Sequence, residues 1–315
     1  MRIVFMGTPL AAADTLKALI EAKHEILCVV TQPDRPKGRG QKISFPPVKE
    51  LALKHGLPLE QPEKVKGNAV FISLIKSLEP EIVVVVAYGR ILPKEMIDIP
   101  KYGCINVHAS LLPKYRGAAP IQWALLNGEK ETGVTIMKID ELLDTGEILL
   151  QQKVKIEESD NAETLSRKLF AAGSERLLEA LKQIEEGKAK YSPQREAEAS
   201  NAPAITKESA EIDWRKAAVE IHDRVRALVP WPVAHTFYRE KLLKIFKSEV
   251  SVADLGAKFR VPGTIAAIVK QEGFVVAAGS GHLLILEVQP AGKKRMRAYD
   301  FVIGHDVKIG EILPS

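Results

Sequence analysis

The run Ile82-Val83-Val84-Val85-Val86-Ala87 restricts this chain more than any other segment. Consecutive β-branched residues are stiff at χ1 and favour a pleated backbone; without polar alternation they demand burial on both faces, as in the middle of a parallel sheet. Parallel strands need crossover helices, so the surrounding sequence should alternate between strand and helix. Residues 3–6 and 25–31 read as strands, and residues 10–21 and 68–78 as helices, the second stopping before Pro80. Further strands follow at 103–108, 133–139 and 147–156, and a long amphipathic helix covers 161–186. The expected fold is α/β, a doubly wound and mostly parallel sheet forming a first domain over residues 1–188.

Residues 187–204 lose this periodicity and are rich in Pro, Ser and small polar side chains, so residues 189–206 are expected to be a linker. Beyond it, a helical pattern at 214–228 precedes short strands at 235–238, 242–250, 263–269, 274–278 and 283–289. Several short strands with Gly turns suggest a small OB-like β-barrel as a second domain, residues 207–315. The only cysteines, Cys28 and Cys104, sit in apolar runs, which argues against a disulfide framework or a Cys-rich metal site. No leader pattern opens the chain and no apolar stretch approaches the ~20 residues that span a bilayer, so a cytoplasmic, membrane-free protein is expected.

Charge is informative through its distribution. The net +5 is concentrated late: residues 207–315 hold 17 Lys and Arg against 13 Asp and Glu, whereas residues 1–206 hold 28 against 27. A local cluster, residues 34–42, places Arg35, Lys37, Arg39 and Lys42 on a Gly/Pro-punctuated loop with one acid, Asp34. These four, with Lys293, Lys294 and Arg295 of the second domain, are candidate phosphate contacts to nucleic acid. A solvated basic surface would look the same.

Chemistry is sought first at Gly7, which follows the first strand. A Rossmann-like nucleotide site wants three glycines, and Met6-Gly7-Thr8-Pro9-Leu10-Ala11-Ala12 offers one. NAD is therefore disfavoured. Ile105-Asn106-Val107-His108 is more promising, because alternate residues of a strand share a face and the carboxyl ends of such strands line the ligand crevice. Asn106 and His108 can thus point together at one small group, although by composition alone Asn and His at a strand end are more often hydrogen-bonded structural groups than catalysts. A second segment carries Asp144 in Leu143-Asp144-Thr145-Gly146, which also reads as an ordinary acidic turn.

Asn106, His108, the run Ser110-Leu111-Leu112-Pro113 and Leu143-Asp144-Thr145-Gly146 together resemble the active-site motifs of the folate-dependent formyltransferases. The opening Phe5-Met6-Gly7-Thr8-Pro9, the basic loop, residues 113–122, Pro230-Trp231-Pro232 and residues 289–296 are similar to the methionyl-tRNA formyltransferases in particular, so the resemblance spans nearly the whole chain. One departure stands out: the family usually has Gly where this chain has Leu142, and a positive φ there would strain a leucine.

The resemblance implies transfer of a formyl group from 10-formyltetrahydrofolate to the amino group of methionyl-initiator tRNA, by a monomer and without a metal. It implies catalysis by Asn106 and His108, as donors to an oxyanion, with Asp144 orienting His108 and relaying a proton. A nucleophilic Ser110 is disfavoured, since no base lies at a suitable spacing. A pterin pocket is implied at Tyr88, Gly89, Arg90, Ile91 and Leu92, at Ser110–Pro113, and at Asp140, Glu141, Leu142 and Leu143. Rival readings are a glycinamide ribonucleotide formyltransferase, which resembles only the first domain, a sugar-nucleotide N-formyltransferase, and an RNA-binding protein on an inert α/β scaffold.

Overall fold

A computed structural model of the chain describes residues 1–37, 42–251 and 261–314. The elements in order are β1 (Arg2–Gly7), α1 (Leu10–Glu21), β2 (Glu25–Val30), β3 (Arg35–Lys37), β4 (Lys42–Ser44), α2 (Pro47–Lys54), β5 (Leu59–Glu60), α3 (Ala69–Ser77), β6 (Ile82–Val86), α4 (Lys94–Ile97) and β7 (Cys104–His108). They continue with α5 (Pro120–Leu126), β8 (Glu131–Lys138), β9 (Ile148–Lys155), α6 (Ala162–Glu185), α7 (Ala218–Ala227), β10 (His235–Tyr238), β11 (Lys241–Ser251), β12 (Ile265–Val269), β13 (Gly273–Ala277), β14 (His282–Pro290), β15 (Met296–Arg297) and α8 (Ala298–His305). Two compact units result, one of residues 1–120, 131–155 and 166–203, the other of 121–130, 156–165 and 204–315.

The first unit is built on a seven-stranded sheet ordered β5-β2-β1-β6-β7-β8-β9. The first five strands are parallel; β8 runs antiparallel to β7 and β9 antiparallel to β8. All five residues of β6 are buried, as its composition requires. The order steps outward from β1 to β5, then returns to the other side of β1 at β6, so a crevice opens beyond the carboxyl ends of β1 and β6. Gly7 lies at that point because a Cβ would stand 2.7 Å from Ala12 Cβ, so only glycine lets α1 start this close to the strand.

Helix α3 begins where expected: the Asn68 side chain accepts from the Phe71 N–H at 3.1 Å. Helix α6 packs tightly under β7, with Gly173 leaving room for Val107 Cγ1, which a Cβ would approach to 2.7 Å. Val107 therefore faces α6, and strand alternation turns Asn106 and His108 to the opposite face. Residues 189–203, expected as a linker, are laid along the first unit: Ser192 bridges to Ile148, and Asn201 to Arg116.

The second unit is an antiparallel sheet ordered β10-β11-β14-β13-β12, with β15 on β14. Its terminal segment spans the two edges: Leu313 N–H donates to Gly263 O beside β12, while Pro314 O accepts from Thr236 of β10. The helix expected from Trp214 begins only at Ala218, where the Glu220 carboxylate accepts from Ala217 N–H at 3.0 Å. Trp214 is instead a fully buried core residue, its indole N–H donating to Thr236 at 3.2 Å; burial supplied the apolar signal without helical backbone. Among the described residues no helix is long and apolar enough to cross a membrane.

Candidate active site

Strand β7 carries Asn106 and His108 to the carboxyl edge of the sheet. Asn106 sits between Val85 and Met137, and His108 opposite Thr135. The Asn106 carboxamide is half-buried and makes no hydrogen bond among the described residues. That is an open donor on the same face as His108.

His108 is buried between two oxygens. Its Nε2 lies 3.0 Å from the Tyr115 carbonyl, which can only accept, so Nε2 carries a proton. Its Nδ1 faces Asp144 Oδ2 at 3.6 Å, an ion-pair distance when the ring is charged but long for a hydrogen bond. The His108–Asp144 juxtaposition expected from sequence is thus present, with the additional feature that Nε2 is held by the backbone of the 113–117 loop.

Asp144 is fixed from three sides. Its carboxylate accepts from Gly117 N–H at 2.9 Å, and its own backbone is left-handed at φ 56°. The side chain of Gln194 donates to the Asp144 carbonyl at 2.9 Å and to the Gly146 carbonyl at 2.8 Å. The preceding turn is closed by Asp140, which accepts from Leu142 N–H and the Thr145 hydroxyl. Leu142 is not among the positive-φ residues, so the strain anticipated from its replacing the usual glycine does not arise; the left-handed residue is Asp144.

The remaining implied pocket residues divide. Ile91, Leu142 and Leu143 are exposed apolar side chains, at 67%, 71% and 56%, while Glu141 lies in the solvent near Lys94. Leu92 and Tyr88 are buried in the core of the first unit, and burial pushes the Tyr88 phenol above its ordinary value, against the opposing charge of Arg90. Gly89 adopts φ 79°, and Arg90 is bonded to Gln32, whose amide also donates to the Tyr88 carbonyl. The peptide groups of Ile91 and Leu92 find no backbone partner among the described residues. Ser110 is fully buried and donates to the Lys114 carbonyl at 2.6 Å, a structural bond of the loop. Leu112 N–H donates to Thr135, and the Leu112 carbonyl accepts from Gln151, which fixes the Leu111–Pro113 stretch against β8 and β9.

Of the basic residues, Arg35 is exposed, and Lys37 and Lys42 stand opposite each other in the antiparallel backbone register of β3 and β4; Arg39 lies outside the described residues. Lys293 and Lys294 are exposed in the second unit, and Arg295, ion-paired to Glu287, stacks over Phe246 at 4.6 Å. Sequence reading missed Gly117, Arg116 and Gln194 as supports of Asp144. Gln194 is 50 residues away from it and sits in a stretch whose composition reads as linker.

Residues 1–181 match the family model described as formyl transferase, and residues 204–306 that of the formyl transferase C-terminal domain. The chain is 51% identical over 313 residues to the methionyl-tRNA formyltransferase of Caldanaerobacter subterraneus subsp. tengcongensis, covering 99% of this chain and 100% of that one. It is 48% identical to that of Bacillus subtilis, covering 99% and 97%. Among solved structures, WlaRD, a sugar 3N-formyl transferase crystallised with dTDP and 5-N-formyl-THF, shares the fold at a TM-score of 0.68 and 22% identity, covering 93% of this chain and 99% of that one. The chain belongs to the formyl transferase family, in its methionyl-tRNA formyltransferase branch.

Proposed function

We propose that this protein transfers the formyl group of 10-formyltetrahydrofolate to the amino group of methionine esterified to initiator tRNA. The observation that carries the reading is the His108–Asp144 pair beside the unpartnered Asn106 carboxamide, on a chain that stays about half identical to methionyl-tRNA formyltransferases through both of its units. The exposed Ile91, Leu142 and Leu143 offer apolar cover for a flat heterocycle, and the unpaired peptide groups at Ile91 and Leu92 suit its polar edge; the folate co-substrate therefore fits the residues present.

Formyl transfer requires a neutral amine to attack the formyl carbon, an oxyanion to be stabilised, and a proton to pass from the new N–H to the departing nitrogen. Asn106 donates to the developing oxyanion; its amide costs little reorganisation because the strand holds it. His108 is the second donor: its Nε2 proton leaves the Tyr115 carbonyl when a stronger, anionic acceptor is present. Asp144 sustains the charged imidazole and relays the proton, taking it from the attacking amine directly or through water and giving it to the departing folate nitrogen as the C–N bond breaks. Arg35, Lys37, Arg39 and Lys42 hold the acceptor-stem phosphates, and the second unit, with Lys293, Lys294 and Arg295, binds the body of the tRNA. The catalytic domain is residues 1–188 and the tRNA-binding domain 207–315, working as a monomer in the cytoplasm where tRNA is charged.

The test is formyl transfer by the purified protein to methionyl-initiator tRNA, with elongator methionyl-tRNA and a UDP-amino sugar as parallel acceptors. Preference for the initiator is expected. Transfer to the sugar alone would keep the chemistry and overturn the substrate.

A further inference from the structure

We propose that Gln194 is a positioning residue for this site: its carboxamide holds the backbone of Asp144 in the conformation that keeps the Asp144 carboxylate beside His108. The inference rests on the function proposed above and goes beyond it by recruiting a residue of the connecting segment. Asp144 is left-handed at φ 56°, which a non-glycine residue keeps only when its surroundings enforce it. Gln194 Nε2 spends its donors on two carbonyls of that turn, Asp144 O at 2.9 Å and Gly146 O at 2.8 Å.

The amide cannot be turned over without loss. Its Oε1 accepts from Arg116 Nε at 3.0 Å and from a second guanidinium N–H at 2.9 Å. A flipped amide would set NH2 against the cation and oxygen against two carbonyls. Arg116 is itself buried and held by Glu196, so the donor end of Gln194 is aimed at the Asp144 turn by an ion pair on its far side. Adjacent backbone bonds, Arg116 N–H to Ser200 O at 2.8 Å and Ala202 N–H to Arg116 O at 2.7 Å, tie the same segment to the loop that supplies Gly117 N–H to the Asp144 carboxylate. Asp144 is thus gripped at backbone and side chain by one cross-linked unit.

Two variants separate positioning from simple tethering of the segment. Gln194→Met keeps the length and removes every hydrogen bond. Gln194→Glu keeps, and strengthens, the partner of Arg116 but has no donor for the two carbonyls. Both are expected to lower kcat for formyl transfer by roughly 10-fold or more with KM for either substrate changed by less than about threefold, since small misplacements of reacting groups cost rate more than binding. In an Asp144→Asn background, Gln194→Met should cost less than about twofold more, because residues acting through one another are not additive. Hydrogen exchange over residues 140–147 of the free full-length protein should quicken in both variants while β8 and β9 stay protected. Wild-type kcat in Gln194→Glu, multiplicative losses with Asp144→Asn, or unchanged exchange at 140–147 would each overturn the proposal. If the unsubstituted protein failed to formylate methionyl-tRNA, the reading of its function would fall, and the exchange measurement would still decide the role of Gln194.

Discussion

His108 has two ring nitrogens and two oxygen neighbours of different character, a neutral carbonyl and a carboxylate. The carbonyl holds the ring in orientation at rest; the carboxylate matters when charge develops. Removing either side chain should therefore leave folding intact and damage the chemical step. His108→Ala and Asp144→Asn are each expected to reduce single-turnover formyl transfer by about 10²–10⁴-fold, the usual worth of a positioned acid–base group, with an unchanged circular dichroism spectrum. A loss of only a few fold would sink the assigned roles. Ser110→Ala, by contrast, removes the bond to Lys114 O that orders the loop; partial activity should survive, which distinguishes a structural hydroxyl from a nucleophile.

At the scale of elements, the site depends on the edge of a sheet and the turn beside it. Ile105 is fully buried on the face of β7 opposite to Asn106 and His108. Ile105→Ala should destabilise the protein by about 2–5 kcal/mol, as large-to-small core changes do, visible as a lower urea midpoint, while the remaining folded enzyme keeps its rate. Gly146 carries the opposite sensitivity. A Cβ there would collide with the Lys138 carbonyl, so Gly146→Ala must shift the strand end that carries the Asp144 turn. Activity is expected to fall further than stability, measured as kcat against thermal midpoint; equal losses would show that the turn merely caps β8 and β9.

Over the whole molecule, the two cysteines report on the integrity of the first unit's core. Burial, with Glu60 adding to it, pushes the Cys28 thiol from 9.0 up to about 12, and burial, with Asp98 adding, does the same for Cys104. A thiol whose pKa is raised by folding stays protonated in the folded state while the unfolded chain ionises. Stability from this source is whole below pH 9 and is lost as pH rises from there toward 12. The thermal midpoint should accordingly fall across that window, and Cys28→Ala with Cys104→Ala should flatten the fall. Both thiols should resist a thiol reagent at pH 8 until the protein is denatured; fast labelling of the folded protein would contradict the burial.

What the sequence determined by itself was whatever local composition forces. The β-branched run of β6 demanded a doubly buried parallel strand, alternation placed Asn106 and His108 on one face, and the ordered motifs identified the family. The boundaries of α1 and β10 coincide with those read from periodicity and turn residues. Trp214 misled because burial and helical periodicity leave the same apolar trace over a few residues. Tertiary structure alone decided where the positive φ falls, at Asp144 and not at Leu142, and that the His108 ring is shared with the Tyr115 carbonyl. It also decided that a stretch resembling a linker reaches across 50 residues to grip the Asp144 turn. A hydrogen bond between distant side chain and backbone leaves no period and no composition in the chain; it exists only once the sheet has brought its partners together.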